Sequence, residues 1–354
     1  MSKAEPEMLN LKKPKHLQPG DRVAVVSPSW GGPATVPLRF ERGLRELRER
    51  LGLTVVEMPH ARAEADWIWR NPQARADDLN AAFADPSIHA IIASIGGDDS
   101  VRILPYVDTS AIADNPKVFM GYSDTTTLHV LSLLSGLQTF YGPSVLAGIA
   151  ENGGTFPYTE SWIRRTLMST EPVGELAPAP EWTEEHVPWE DESLAGQRRA
   201  MTPNPGWRWL QGDARVEGHL VGGCLDVLEF LKGTPWWPEA GVWDGAIFYW
   251  ETSEDAPSPT LVAWWLRNYG MQGILHRLAG MVVGRSAHYT PEQVKERDTT
   301  IMRIVRDEFG LADLPVVVDL DFGHTDPLMV LPNGGRMVLD PAGNSISLPD
   351  AATV

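Results

Sequence analysis

Cysteine is almost missing. Cys224 is the only one in 354 residues, which excludes an intramolecular disulfide framework. No apolar run approaches the roughly 20 residues that cross a bilayer. The opening stretch, MSKAEPEMLNLKKPKHLQPGD, is polar and has no apolar centre of the kind a secretory signal carries. A cytoplasmic protein with no membrane partner is the expectation. Positive charge is also scarce, with 30 Lys and Arg against 47 Asp and Glu, a net −17. Nucleic-acid binding rests on clustered Lys and Arg, so no nucleic-acid partner is expected. A small anionic ligand needs only one or two local donors and stays open. No H-x-x-x-H pair and no Cys/His cluster occurs, so no zinc site is expected. No G-x-G-x-x-G is present either, and neither a metal nor an organic cofactor is called for.

Apolar residues and tryptophan are plentiful. An apolar fraction of 43% suffices for one or two buried cores, and the length suits two domains. Ten of the 14 tryptophans fall between Trp182 and Trp265. They fit either a Trp-rich core or an aromatic-lined ligand pocket.

The first part of the chain alternates strand-like and helix-like segments. DRVAVVSPS, LTVVEMP, IHAIIASIGG, KVFMG and LQTFY read as strands. Between them, VPLRFERGLRELRERLG places Leu38, Leu44, Leu47 and Leu51 near helical spacing, and NPQARADDLNAAFADPS has Pro72 at its start. Such alternation implies a parallel sheet flanked by helices. Residues 172–214 break the pattern. They are rich in Pro, Glu and Trp without a period, and read as a domain connection that also forms a loop over a site. The expected division is 1–171, 172–214 and 215–354. In the last part, RVEGHLVGGCLDVLEFLKGT reads as strand, Gly-Gly turn and helix. GAIFYWE, LAGMVVGRS and LPVVVDLDFGH read as strands, and RMVLDPAGNSISL as a closing hairpin.

Three places carry candidate chemistry. In KVFMGYSDTTTLH an apolar strand stops at Gly121, Ser123 follows, and a helix opens at about Asp124. A nucleophile elbow needs that order, and the helix start aims free N–H groups at an anion formed on an attacked carbonyl. The second glycine of G-x-S-x-G is absent, and a plain helix cap is the alternative. In SIGGDDS, Gly96-Gly97 ends a buried strand, where ligands bind in open α/β sheets. It could supply a second oxyanion donor or serve as a simple strand exit. A nucleophilic serine needs a base and an orienting acid. His324 follows the apolar run VVVDLDFG, with His288 in GRSAHYT as rival and His129 read as packing or surface. Glu251 ends AIFYWE and would be costly to bury unpaired; Glu254 and Asp255 are its rivals, further out in a loop that reads as solvated. Cys224 is most simply a small apolar filler.

Together these segments resemble the LD-carboxypeptidase family of serine peptidases, which includes muramoyl-tetrapeptide carboxypeptidases and microcin C self-immunity proteins. The resemblance runs from GDRVAVVSPS through SIGGDDS, GYSDTTTLH, YGP, GHLVGG, IFYWE and GRS to DFGHTDPLMVLPNG. It implies an α/β chain with a flavodoxin-like parallel-sheet domain and a smaller mixed α/β domain, the site lying in the groove between them. It implies a serine carboxypeptidase or amidase with Ser123 as nucleophile, Glu251 as acid and His324 as base. The backbone N–H groups of Gly97 and Asp124 would be the oxyanion donors, with Gly96 beside the substrate. A homodimer is also implied.

The family branches in its substrates. One cleaves an LD-peptide bond of muropeptides; the other cleaves the amide of a peptidyl or aminoacyl nucleotide. EWTEEHVPWEDE and GWRWL are similar in character to a loop that brings an aromatic over the nucleobase in the second branch. Trp182 and Trp189 are therefore candidate stacking residues, with loop packing as the alternative. Cys224 is a further substrate-contact candidate, standing where many relatives have a small polar residue after Gly-Gly. The reading leans to the nucleotide branch. A non-catalytic small-ligand module of two α/β lobes, with Ser123 as a cap, is the alternative class.

Overall fold

Two sheets organise the protein in a computed structural model that describes residues 9–354. The first sheet runs in the order Leu331–Asn333, Thr139–Tyr141, Val118–Gly121, Ala90–Ala93, Arg22–Val26, Thr54–Glu57. All neighbours are parallel except the first pair. Central strands such as Ala90–Ala93 and Val118–Gly121 are buried throughout. That is why they read as unbroken apolar runs, since helices cover both faces of a parallel sheet. The antiparallel edge strand Leu331–Asn333 comes from the far end of the chain and ties it to the first sheet.

The second sheet is mixed. Its order is Gly174–Glu175, Ser345–Leu348, Arg336–Asp340, Val216–Cys224, Ile247–Glu251, Gly280–Gly284, Val316–Leu320, Arg208–Gln211. Parallel pairing holds only from Val216–Cys224 to Val316–Leu320. Among the described residues, no helix is long and apolar enough to cross a membrane.

Several local expectations change. Leu38 is 59% exposed, and Phe40 takes its place beside Leu44 and Leu47 on the buried face of the helix Pro37–Glu49. Gly222-Gly223 is no turn; it lies inside the strand Val216–Cys224. A Cβ on Gly223 would lie 2.5 Å from the Thr126 side chain, so glycine lets the helix Thr126–Leu134 pack directly on the second sheet. The Cys224 N–H donates to Thr126 Oγ1 at 2.9 Å across this contact. The last strand of the parallel run ends at Leu320, so His324 stands in the loop beyond it. Both sheets thus deliver strand ends and loops to one groove.

Candidate active site

Ser123 follows the strand Val118–Gly121 and begins a helical turn that leads into Thr126–Leu134. Its φ is +60°, a left-handed conformation that serine rarely adopts and that clusters at functional turns. Gly121 makes the turn possible: a Cβ there would lie 2.8 Å from Thr125 Oγ1 and 3.0 Å from Ala93 Cβ. The Asp124 carboxylate, fully buried, accepts from Ser29 Oγ, from Ser100 N–H at 2.7 Å and from Asp99 N–H at 3.0 Å. It thereby fastens the SIGGDDS loop to the elbow, while burial raises its pKa. Asp124 is the second residue of its helical turn, where an N–H has no acceptor within the helix. The Gly97 N–H has no hydrogen-bond acceptor among the described residues.

His324 Nε2 lies 3.0 Å from Ser123 Oγ, and its Nδ1 lies 2.7 Å from Glu251 Oε2. Glu251 is the last residue of the strand Ile247–Glu251 and is wholly buried. Gly323 allows the imidazole and carboxylate to meet, since a Cβ at that position would fall 2.5 Å from Glu251 Oε2. Tyr122 packs its ring 5.1 Å from the imidazole. Burial alone would depress the His324 pKa, but the Glu251 carboxylate, with Glu254, holds it well above the usual histidine value.

The rivals go elsewhere. His129 is buried, with Nε2 at 2.9 Å from the Gly121 carbonyl oxygen and Nδ1 at 2.8 Å from Thr139 Oγ1. It supports the elbow from behind and is not on the surface. His288 lines the groove, its N–H donating to Glu184 Oε2 at 2.6 Å.

Two further residues stand beside the Ser123–His324–Glu251 chain. The Tyr141 hydroxyl donates to Glu251 Oε1 at 2.5 Å and accepts the Ser123 N–H at 3.1 Å. Burial keeps that phenol protonated by raising its pKa. YGP marked the segment without marking a role. Glu254, read as part of a solvated loop, is 65% exposed, yet its Oε2 lies 2.9 Å from His324 Nε2.

A cavity of about 680 Å³ opens over Ser123. Trp30, Trp69 and Trp189 contribute its aromatic walls, and Gly96 and Gly97 its floor. Arg39 lies 4.3 Å from the centre of the Trp189 ring and is itself fixed by the Leu146 carbonyl and Asn152. Burial lowers its pKa to about 10. Arg199 bridges Glu151 and Asp326, each at 2.6 Å.

Trp182 and Cys224 do not line this cavity among the described residues. Trp182 belongs to the small ribbon formed by Glu181–Trp182 and Thr202–Pro203, with Arg285 over its ring at 4.7 Å. Cys224 is fully buried, and its thiol pKa is raised by burial and then by Glu251. Two of the three cavity tryptophans, Trp30 and Trp69, lie outside the Trp-rich stretch. That stretch instead fills core positions with Trp243 and Trp250.

Known proteins agree with this architecture. Residues 23–142 match the model of the LD-carboxypeptidase N-terminal domain, and residues 217–339 that of the C-terminal domain. The chain is 27% identical over 339 residues to the microcin C7 self-immunity protein MccF of Escherichia coli, covering 94% of each. An MccF-like protein from Streptococcus pneumoniae, solved with AMP, superposes with a TM-score of 0.83 at 30% identity, covering 93% of this chain and 98% of that one. MccF in complex with aspartyl sulfamoyl adenosine gives a TM-score of 0.85 at 27% identity, covering 97% and 100%.

Proposed function

The chain belongs to the LD-carboxypeptidase family of serine-type hydrolases, and from that premise we propose that it cleaves the amide of an aminoacyl or peptidyl nucleotide with a Ser123–His324–Glu251 triad. The observation that carries this reading is the convergence, in one groove, of the Ser123–His324–Glu251 hydrogen bonds with the Arg39-braced Trp189 ring. The triad supplies hydrolysis, and a fixed ring in a roomy cavity suits a flat nucleobase. Similarity to proteins solved with AMP and with aspartyl sulfamoyl adenosine supports the same substrate class.

In the mechanism, His324 Nε2 removes the Ser123 Oγ proton while Glu251 orients the ring and stabilises the imidazolium. Oγ bonds to the scissile carbonyl carbon, and the Gly97 and Asp124 amides receive the oxyanion. Losing one such donor typically costs about 100–1,000-fold in rate. The carbon–nitrogen bond then breaks as His324 protonates the leaving nitrogen. Water, deprotonated by the same histidine, releases the acyl group from Ser123.

The test compares an aminoacyl sulfamoyl adenosine with an L,D-tetrapeptide. Cleavage of the adenosine compound, weakened by Trp189→Ala far more than by Trp182→Ala, is the expected result. Release of terminal D-Ala alone would reject the nucleotide reading and leave a muropeptide carboxypeptidase.

A further inference from the structure

His324 Nε2 has a hydrogen-bond partner and a second, charged neighbour. Ser123 Oγ lies at 3.0 Å and Glu254 Oε2 at 2.9 Å. A general base must have a free lone pair on Nε2 to take the serine proton. An Nε2 kept protonated by a neighbouring carboxylate has none. With Glu251 on Nδ1 at 2.7 Å, the ring lies between two carboxylates, the arrangement that favours the imidazolium.

We propose that Glu254 is a latch on the base: in the free enzyme its carboxylate, beside His324 Nε2, holds the ring as imidazolium, and substrate entry moves it away so that the imidazole can act on Ser123. Exposure separates Glu254 from Glu251. Glu251 is completely buried and fixed by Tyr141 and His324, whereas Glu254 is 65% exposed and stands at the rim of the cavity a substrate must fill. One is built to stay and the other is free to swing.

The other charged groups around the pair do not take over this contact. Among the described residues, Arg199 is engaged by Glu151 and Asp326, and the His288 ring lies 3.9 Å from Glu184 while its backbone N–H donates to the same carboxylate. Asp255 and His288 share the cavity rim without an ion pair to His324. The Glu254 pKa, drawn down to about 2 chiefly by the adjacent His324, keeps the latch ionised throughout the working range. The latch therefore opens by displacement and not by its own titration.

This inference rests on the triad reading, and labelling by a fluorophosphonate over a pH series tests both separately. The second-order rate, kinact/KI, reports the free enzyme, and the saturated rate, kinact, reports the complex. Removing an adjacent carboxylate lowers an imidazolium pKa by about one unit or more. Glu254→Gln should therefore move the acid limb of kinact/KI down by about one pH unit, with labelling below that limb faster by about tenfold. The acid limb of kinact should stay where it is in wild type, and Glu254→Asp should restore part of the kinact/KI shift. An unmoved kinact/KI limb, or equal shifts in both limbs, would overturn the latch. A mere structural role would lower both rates without moving either limb, and would overturn it as well. Labelling that survives Ser123→Ala or is indifferent to His324→Ala would instead remove the triad reading.

Discussion

The Tyr141 hydroxyl donates to Glu251 Oε1 at 2.5 Å. Because the same oxygen accepts the Ser123 N–H, one phenol joins the acid from the second sheet to the elbow on the first. Tyr141→Phe would leave a buried carboxylate oxygen and a buried amide unpaired, at about 1–3 kcal/mol for each group. Urea unfolding should show a stability loss of that order. Steady-state kinetics should show kcat falling while KM changes little, since nothing in the cavity wall is altered. Wild-type kcat in a folded Tyr141→Phe protein would refute the bridging role.

Gly96 packs against Ser123 from the other side. A Cβ at this position would lie 2.9 Å from Ser123 Cβ and 3.1 Å from Oγ. Gly96→Ala must push the serine out of line with His324. A displacement near 1 Å costs on the order of 100-fold in rate. Circular dichroism should remain native while turnover falls by about that factor; unchanged turnover would mean that Ser123 is not held as described.

His129 links fold stability to pH. Burial brings its pKa down to about 4, partly opposed by its bond to the Gly121 carbonyl. An unfolded histidine titrates near 6.5. Between these values the unfolded chain binds a proton that the native protein refuses, so stability declines as pH falls from about 6.5 to about 4. The contribution is about 3 kcal/mol. Urea midpoints measured across this window should fall for wild type and flatten for His129→Gln. Equal slopes would show that His129 does not titrate on unfolding.

Much of this was legible in the sequence for a simple reason. Glu251 ends an apolar strand, Ser123 stands two residues beyond one and His324 four residues beyond another. The period and the abrupt change from apolar to polar are local signals. Tyr141 gave no such signal because its hydroxyl matters only through Glu251, 110 residues away. Glu254 looked solvated because most of its surface is, and only the fold brings its carboxylate to Nε2. For tryptophan, composition left core and pocket open, and the fold sends Trp243 and Trp250 to the core and Trp189 to the cavity; for Gly222-Gly223 the pair misled. A cluster in sequence is no cluster in space, and a glycine pair that suggests a turn can instead admit a neighbouring helix.

Every step of the proposed mechanism depends on Ser123 acting as a nucleophile activated by His324. Intact-mass measurement after treatment with a fluorophosphonate tests it most directly. One adduct is expected on wild type, mapped to Ser123, none on Ser123→Ala, and a strongly slowed reaction on His324→Ala. A folded wild-type protein that takes up no adduct, or a Ser123→Ala protein that still does, would contradict it.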